Sequence, residues 1–470
     1  MRKPEERCEV VLFFPFWSQA GAMNFDSNYV IMRRILPILT KMRPKWHFVV
    51  AWPINDFGSN WKIFADDFDL TRITLVPWRF DSAMRMGVLN FNSQDFKAID
   101  LQFFPTIFWL HQVEIGTFIS RGAIGSFADA SLPAVVAQHH YIIHKSLPYE
   151  IADQFARRWL QMGGSIAADC VVLNSYHTLD MMFESFSEYL SPVQLEDLRL
   201  KSEVNLFGLV DDAFDIPVKS ATAQSRRTVV YNHRFEHYKQ PKKTAQVLRN
   251  LKKKFDFDIL ATQSIGQPIK TFPVDKFVGD PDYRQYLKNI ALPAVNTINS
   301  VHETFCIAMT DSIALGHLPV VPNAVTFPEL LPEDYPYKFN SLAQQEQMIH
   351  YIFETWPQEH HKWSQKLRDF AKEKFAIEDY CQRYISILER ESAKKRYEHT
   401  TKSHNAIKFD RFAEQLQAGI YEPKQLFSRF RKLTKLGEQS TPNRRIFREI
   451  DDRRNVTIIT RNRKIMLEIA

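Results

Sequence analysis

Short apolar runs alternate with amphipathic helical stretches through most of the chain. In the first half, β-branched and aromatic runs predict strands at 9–14, 46–51, 73–76, 134–137 and 170–173, and an apolar-periodic stretch predicts a helix at 29–40. Continuous apolar runs of this length are typical of strands that are buried on both faces. Strands that alternate with helices predict βαβ units and a mostly parallel sheet.

The same pattern starts again after residue 214. Apolar runs at 228–231, 258–261, 296–298 and 318–321 predict strands, and helices are predicted at 242–255 and 305–315. We therefore expect an α/β fold of two Rossmann-like lobes, residues 1–212 and 213–378, followed by a crossover helix at 379–398. Ligands bind beyond the carboxyl ends of parallel strands, so the loops of both lobes are expected to line a cleft between them.

Residues 405–470 carry a different pattern. Helices are predicted at 409–417, ended by Gly419, and at 423–436, and a third helix is predicted from about residue 441 to 452. Alternating residues at 456–460 and 464–469 then predict a β-hairpin. Three helices followed by a hairpin with a basic tip are the order of a small C-terminal winged helix-turn-helix module.

Charge is distributed unevenly along the chain. The net charge is +7, but residues 391–470 alone hold 19 Lys or Arg and 10 Asp or Glu, so the preceding part has an excess of two negative charges. A near-neutral body with a basic appendage predicts an enzyme with an attached module that binds a polyanion. The alternatives are a solvated, flexible tail, or a winged module used for dimerisation or protein docking.

Several classes of protein are excluded by composition. The four cysteines form no CxxC pair, which argues against structural zinc and a disulfide framework and fits a reduced cytosolic compartment. The N-terminal residues lack an apolar stretch of signal-peptide length, and no window reaches about 18 consecutive apolar residues. We therefore expect a cytoplasmic protein with no membrane contact.

The strand–loop–helix segment at 231–239 carries the first family resemblance. Arg234 and Lys239 resemble the R-x4-K element of retaining glycosyltransferases with the GT-B fold, in which Arg and Lys hold the donor diphosphate. The string NHRFEHYK at 232–239 is also similar to the corresponding segment of the tRNA-queuosine mannosyltransferases.

A second resemblance follows at 299–321. Glu303 and Asp311 are eight residues apart, as in the E-x7-E region of that superfamily, although the second acid is Asp and the usual Phe-Gly is Phe305-Cys306. The resemblance covers residues 9 to 390. Further matching segments are Asn174-Ser175 at the end of the first lobe, the joint at 207–211 and the Pro/Glu turn at 327–331.

The resemblance implies roles for these residues in the second lobe. Arg234 and Lys239 are expected to neutralise a departing nucleoside diphosphate without a metal or other cofactor. Backbone N–H groups of the helix that follows Thr304 and Phe305 would contact the same phosphates. Glu303, just before that helix, is expected to bind sugar hydroxyls. Asp311, about two turns further along the same face, is expected to bind the ribose hydroxyls.

The first lobe is expected to supply the acceptor side. His139 or His140 would lie beside the reacting sugar, and only one of them is expected to face the cleft because neighbouring side chains of an extended chain point in opposite directions. Gly21, in the loop after the first strand, is expected to allow close backbone approach to the donor. The resemblance implies retention of configuration, and front-face transfer is the working mechanism because no carboxylate nucleophile is evident.

A basic winged module on such an enzyme resembles the bacteriophage enzymes that glycosylate hydroxymethylated pyrimidines in their own DNA. The expected function is transfer from a UDP-sugar to 5-hydroxymethylcytosine, or another hydroxymethyl pyrimidine, in duplex DNA, which protects phage DNA from host nucleases. The acceptor base is expected to leave the stack to reach the cleft. The residues expected to contact DNA are Arg444, Arg445 and Arg448 on the third helix and Arg461, Arg463 and Lys464 at the hairpin.

Two alternatives stay open at this point. One is a tRNA-modifying glycosyltransferase of the queuosine type, which the segment at 232–239 favours. The other is a non-catalytic DNA-binding protein built on a degenerate GT-B scaffold.

Overall fold

The structure is a computed structural model. It describes residues 9–13, 27–53, 72–78, 106–120, 133–144, 152–208, 212–262, 268–279, 283–400, 412, 416–434, 450, 456–461 and 464–469.

A seven-stranded parallel sheet forms the first lobe. Its strands are β1 Glu9–Phe13, β2 His47–Pro53, β3 Ile73–Trp78, β4 Ile107–Leu110, β5 Ala134–His139, β6 Cys170–Leu173 and β7 Ser202–Val204. They lie in the order β3-β2-β1-β4-β5-β6-β7. The helices described in this lobe are α1 Ser27–Met42, α2 Ala152–Ala167, α3 Tyr176–Phe186 and α4 Pro192–Leu200, with a 3-10 turn at Val113–Ile115.

A six-stranded parallel sheet forms the second lobe. Its strands are β8 Thr228–Tyr231, β9 Asp258–Thr262, β10 Lys276–Val278, β11 Val295–Thr297, β12 Leu318–Pro322 and β13 Lys338–Phe339, in the order β10-β9-β8-β11-β12-β13. The helices are α5 Asp212–Asp215, α6 Pro241–Lys252, α7 Tyr283–Ile290, α8 Ile307–Ala314, α9 Leu342–Glu354 and α10 Gln358–Lys374, and 3-10 turns lie at His237–Lys239 and Phe327–Leu330.

The α/β organisation with two parallel sheets agrees with the sequence-based prediction. In each sheet the order of strands reverses beside the first strand, between β1 and β4 and between β8 and β11. Such switch points open a crevice at the carboxyl ends of the strands. Of the strands in these sheets that were not predicted, β7, β10 and β13 have three residues or fewer, so hydrophobic periodicity has little to mark. The fourth, β4, has four residues, as many as the predicted β6 and β8, so its length does not explain why it was missed.

A long helix, α11 Ile377–Thr400, connects the second lobe back to the first. Tyr384 of α11 is fully buried, and its ring centre lies 4.5 Å from that of Trp109 in β4. Arg43 pairs with Glu389 at 2.8 Å, and Lys395 pairs with Asp169 at 2.7 Å. Although α11 is long, neither it nor any other helix in the described ranges is apolar enough to cross a membrane.

The C-terminal part contains helix α12 Pro423–Thr434 and the strands β14 Gly419–Tyr421, β15 Val456–Arg461 and β16 Lys464–Ile469. The three strands form an antiparallel sheet in the order β14-β16-β15. Phe412 and Phe430 pack edge to face in its core. The hairpin and the helix from residue 423 agree with the prediction, whereas Gly419 begins a strand and does not end a helix.

Helix α2 packs directly against the backbone of the 3-10 turn that follows β4. A Cβ atom on Gly164 would lie 1.8 Å from the carbonyl oxygen of Val113, whereas a Cβ atom on Gly163 would meet only the Thr117 hydroxyl at 2.9 Å. The glycine at 164 is therefore required for this close helix-to-loop approach.

Gly164→Ala is expected to destabilise the protein by about 2 kcal/mol or more, because backbone atoms must move to admit the methyl group. Gly163→Ala is the matched control, since a threonine side chain can rotate and alanine favours the helix by about 1 kcal/mol. Thermal unfolding of both variants checks the expectation. Equal unfolding temperatures for the two variants would contradict it.

Candidate active site

Lys239 and Glu303 form a buried ion pair at the carboxyl ends of β8 and β11. The ammonium of Lys239 donates a hydrogen bond to Oε1 of Glu303, and the two residues are 8% and 6% exposed. Burial by itself would lower the pKa of Lys239, but the negative charge of Glu303 outweighs it and raises that pKa. Lys239 is therefore a fixed cation held at the end of the sheet.

Arg234 lies on the exposed side of the same loop. Its Nη2 donates to the Tyr238 hydroxyl at 2.8 Å, and its Nη1 pairs with Oε1 of Glu236 at 3.0 Å. The side chain is 56% exposed, so solvent still reaches the guanidinium. The loop thus presents one buried and one accessible cation, and Glu303 interacts electrostatically with both.

Two loops are joined by backbone contacts to bring these charges together. The Val301 N–H donates to the carbonyl oxygen of Tyr238 at 3.0 Å, and the Ser300 hydroxyl donates to the same oxygen at 3.3 Å. Glu303 follows two residues later, in the loop before α8. This position, just before the helix that carries Asp311, agrees with the prediction.

Phe305 lies in the core, where its ring packs 5.9 Å from Phe207 and 5.7 Å from Phe375. Only its backbone is therefore available for the expected donor contact. Thr304 instead contacts the first lobe, since its hydroxyl donates to the carbonyl oxygen of His140 at 2.7 Å and its carbonyl accepts from Thr178 at 3.0 Å.

Cys306 adopts a left-handed backbone, with φ 76° and ψ 67°, immediately before α8. This is the position where the resembled glycosyltransferases have glycine, and the observed φ explains that choice. A residue with a Cβ atom in this conformation costs about 1–2 kcal/mol. The local turn that aims the loop at the site is therefore retained here at the expense of backbone strain.

Asp311 lies on α8 and is 3% exposed. Its Oδ1 accepts a hydrogen bond from the Tyr283 hydroxyl at 2.6 Å. Burial raises the pKa of Asp311 to about 6, while the positive charge of Arg34 and the bond from Tyr283 act in the opposite direction.

A buried amide network connects β8, β11 and α8 beneath the charged residues. Asn296 donates to Oδ1 of Asn232 at 2.8 Å and to the Ser312 hydroxyl at 2.8 Å, and Asn232 donates to the Tyr286 hydroxyl at 2.7 Å. These residues were not among the predicted site residues. Polar residues at the ends of two neighbouring apolar strands were the signal that could have found them.

The two candidate histidines of the first lobe have different surroundings. His139 is the last residue of β5, is fully buried and bonds through Nε2 to the Ser165 hydroxyl at 2.8 Å, on the side of α2. His140 follows the strand and contacts the second lobe through its carbonyl oxygen. The alternation of side chains along a strand sends the two rings to opposite faces, so His140 lies at the site and His139 lies within the core.

His140 is half-buried, and its Nε2 lies 2.8 Å from Nδ1 of His111. Burial lowers the pKa of His140 to about 3, so the ring is neutral near pH 7. His111 was missed because it follows β4, a strand that the sequence pattern did not mark.

Glu329 joins the lobes at the start of α3. Its carboxylate accepts hydrogen bonds from the backbone N–H groups of Tyr176 at 2.8 Å and His177 at 2.7 Å. Ser175 caps the same helix. The segment at 174–175 and the Pro/Glu turn, which the sequence resemblance identified separately, therefore meet in space.

The remaining predicted site residues are not described with side chains. Gly21, Arg444, Arg445, Arg448 and Arg463 lie outside the described residues. Arg461 and Lys464 are opposite each other in the hairpin register. Within the part of the chain that the structure covers, no group of three His, Cys, Asp or Glu side chains has the arrangement of a metal site.

Comparison with solved structures identifies the fold. A sucrose-phosphate synthase from Thermosynechococcus elongatus has a TM-score of 0.60 at 13% identity, over 83% of this chain and 100% of that one. A glycosyltransferase from Rickettsia africae has a TM-score of 0.58 at 14% identity, over 82% and 98%. The apo form of a lipopolysaccharide outer core galactosyltransferase has a TM-score of 0.54 at 10% identity, over 80% and 98%. The chain has the GT-B glycosyltransferase fold.

One curated relative of this GT-B chain is the tRNA-queuosine alpha-mannosyltransferase of Drosophila melanogaster. It is 23% identical over an alignment of 256 residues that covers 48% of this chain and 66% of that protein, slightly less than two thirds of its length. No family model matches the sequence.

Asp311→Asn is expected to stabilise the GT-B chain at high pH. The pKa of Asp311 in the folded protein is about 6, above its ordinary value of 3.8, so the wild type loses stability as the pH rises from 3.8 through 6. The amide does not titrate, and Oδ1 still accepts from Tyr283. We expect the variant to be more stable by about 1–3 kcal/mol at pH 8, with the difference disappearing near pH 4.

Denaturant unfolding at both pH values measures this difference. A variant that is less stable than the wild type at pH 8, or a difference that does not change with pH, would contradict the assignment of a buried carboxylate.

Proposed function

We propose that this chain is a glycosyltransferase that uses a nucleoside diphosphate sugar as donor. The buried Lys239–Glu303 pair at the carboxyl ends of β8 and β11 is the observation that carries the proposal. Either charge would be costly to bury without its partner, so the pair holds a cation and an acid together at this edge of the sheet. The accessible Arg234 adds a second cation on the same loop.

Departure of the diphosphate is the step that these cations assist. The bond between the anomeric carbon and the diphosphate oxygen breaks, and negative charge builds up on that oxygen. Lys239 and Arg234 stabilise this charge in the role that a metal ion has in other transferases. Glu303 exchanges its contact with Lys239 for the hydroxyls of the sugar, and Asp311 accepts hydrogen bonds from the ribose.

Acceptor attack takes place on the same face of the sugar. The acceptor hydroxyl oxygen forms the new bond to the anomeric carbon, and its proton passes to the departing phosphate, so the configuration is retained. The neutral ring of His140, whose backbone carbonyl bonds to Thr304, would donate or accept a hydrogen bond at the sugar. No metal and no further cofactor are part of this mechanism.

Nucleic acid is the acceptor class that the C-terminal part supports. The strand before α12, β14, pairs with the last strand of the hairpin, which is the sheet arrangement expected of a winged helix. Helix α12 buries Leu426, Phe427 and Phe430 and exposes Lys424, Arg429 and Lys432 on the opposite face. Exposed cations along one helix face are suited to phosphate contacts.

The specific acceptor that we propose is a 5-hydroxymethyl pyrimidine, such as 5-hydroxymethylcytosine, in duplex DNA, in a bacteriophage that protects its DNA from host nucleases. The basic residues of the predicted third helix and of the hairpin, including Arg445 and Lys464, would hold the duplex. A second candidate, glycosylation of queuosine in tRNA, is favoured by the Drosophila relative, whose name gives that reaction.

Labelled UDP-sugar offered side by side with hydroxymethylcytosine duplex, unmodified duplex and queuosine-containing tRNA tests the proposal. We expect label on the hydroxymethylated duplex alone, with a mass increase of one sugar for each modified base. Label on tRNA alone would select the second candidate, and the absence of label on every acceptor would contradict both.

Binding of duplex DNA at several salt concentrations tests the basic face of α12. A triple Lys424→Ala, Arg429→Ala and Lys432→Ala variant is expected to bind duplex DNA more weakly. The slope of its binding constant against salt concentration, on logarithmic scales, should fall by the equivalent of about three phosphate contacts. The matched control removes three exposed lysines from α10 of the second lobe, Lys362, Lys366 and Lys372. Equal loss in both variants would show a general effect of net charge.

Arg234→Ala is expected to lower kcat/KM by about 100-fold or more, because one fixed cation no longer faces the leaving diphosphate. The unfolding temperature should not change, since the side chain is largely exposed. Arg226→Ala is the matched control, because Arg226 is an exposed arginine near the opposite end of β8 and pairs with Asp256 and Asp258. Equal activity of the Arg234 and Arg226 variants would contradict the assignment.

A further inference from the structure

Arg34 is a buried cation of the first lobe that the proposed chemistry does not use. It lies on α1, is 9% exposed, and its guanidinium carbon is 4.1 Å from the ring centre of Tyr283. Tyr283 is the first residue of α7 in the second lobe, and its hydroxyl bonds to Asp311. A first-lobe guanidinium therefore stacks on the tyrosine that contacts the proposed ribose-binding carboxylate.

Nη1 of Arg34 is buried and has no hydrogen-bond partner among the residues that the structure describes. A buried N–H group of a charged side chain without a partner costs free energy, and such groups are rare in native proteins. The adjacent carboxylate does not remove this deficit, because the contact that Asp311 Oδ1 makes is with Tyr283. A polar atom from a ligand would satisfy it.

We propose that Arg34 is a donor-binding residue that bonds through its free guanidinium N–H to an oxygen of the nucleoside, on the ribose or the nucleobase. The proposal rests on the proposed function, because it takes the donor to be a nucleoside diphosphate sugar. Arg34 adjoins Asp311 on α8, whereas the cations assigned to the diphosphate, Arg234 and Lys239, lie on the loop after β8. This separation assigns Arg34 to the nucleoside end of the donor.

The position of Arg34 also connects donor binding to the arrangement of the lobes. Arg34 belongs to the first lobe and Asp311 to the second, so a nucleoside held by both residues bridges the lobes. Most of the other donor contacts proposed above come from the second lobe. Arg34 is therefore the residue through which the first lobe recognises the nucleoside.

Calorimetric titration with two probes, UDP and inorganic pyrophosphate, tests the proposal. Arg34→Gln is expected to weaken UDP binding by about tenfold or more, because a charge-assisted hydrogen bond is lost, while pyrophosphate binding changes less than about twofold. Arg34→Lys should also weaken UDP binding, since lysine keeps the charge but lacks the planar fork. Arg234→Ala should weaken binding of both probes.

Arg33→Gln is the matched control, because Arg33 is the exposed neighbour on the same helix. It is expected to bind UDP and pyrophosphate as the wild type does. Circular dichroism of each variant shows whether the fold is retained, and Arg34→Lys preserves the buried charge if Arg34→Gln does not fold.

Each other outcome overturns the inference in a different way. If wild type binds UDP and both Arg34 variants bind it equally well, Arg34 has a structural role and the proposed function stands. If the Arg34 variants lose pyrophosphate binding as much as UDP binding, the assignment to the nucleoside is wrong. If wild type binds neither probe, the proposed function itself fails, and the inference fails with it.

Discussion

The buried ion pair between Lys239 and Glu303 is the interaction on which the candidate site depends. Removing either charge would leave the other buried and unpaired, which typically costs several kcal/mol. The pair therefore fixes the loop after β8 against the loop before α8. The two hydrogen bonds that the Tyr238 carbonyl accepts, from the Val301 N–H and the Ser300 hydroxyl, reinforce this contact. The residues that stabilise the local structure are also the residues with the right charges for a diphosphate and a sugar, so folding prepares the site before any ligand binds.

A layer of neutral polar residues supports this charged pair. Asn232, Asn296 and Ser312 satisfy one another below it and link two strands to α8, so their positions depend on hydrogen bonds and not on apolar packing alone. Cys306 shows the same constraint in the backbone, since the turn is kept although its residue is poorly suited to a positive φ. Both features indicate that the geometry of this loop is more restricted than the stability of the fold requires.

Contacts between the lobes complete the arrangement. The Thr304 hydroxyl reaches the His140 carbonyl, Glu329 binds the first amides of α3, and Arg34 stacks on Tyr283. The first two contacts join residues near the carboxyl ends of the strands in the two lobes, and the third joins helix α1 to helix α7. The two halves of the candidate site are therefore positioned by polar contacts together with apolar packing, since one buried core includes residues of both lobes, such as Phe207 and Phe305.

The sequence by itself determined the two parallel-sheet lobes, the ends of the main strands, and the loops that carry Arg234, Lys239 and Glu303, because hydrophobic periodicity and local spacing are properties of neighbouring residues. The sequence did not reveal the strand β4, so His111, which follows that strand, was missed. It also did not decide which of His139 and His140 contacts the second lobe, because that depends on the residue at which β5 ends. Only the tertiary structure decided that Phe305 packs in the core, that Lys239 pairs with Glu303, and that Arg34 meets Tyr283. These contacts join residues far apart in the chain, and their geometry depends on how the two lobes pack.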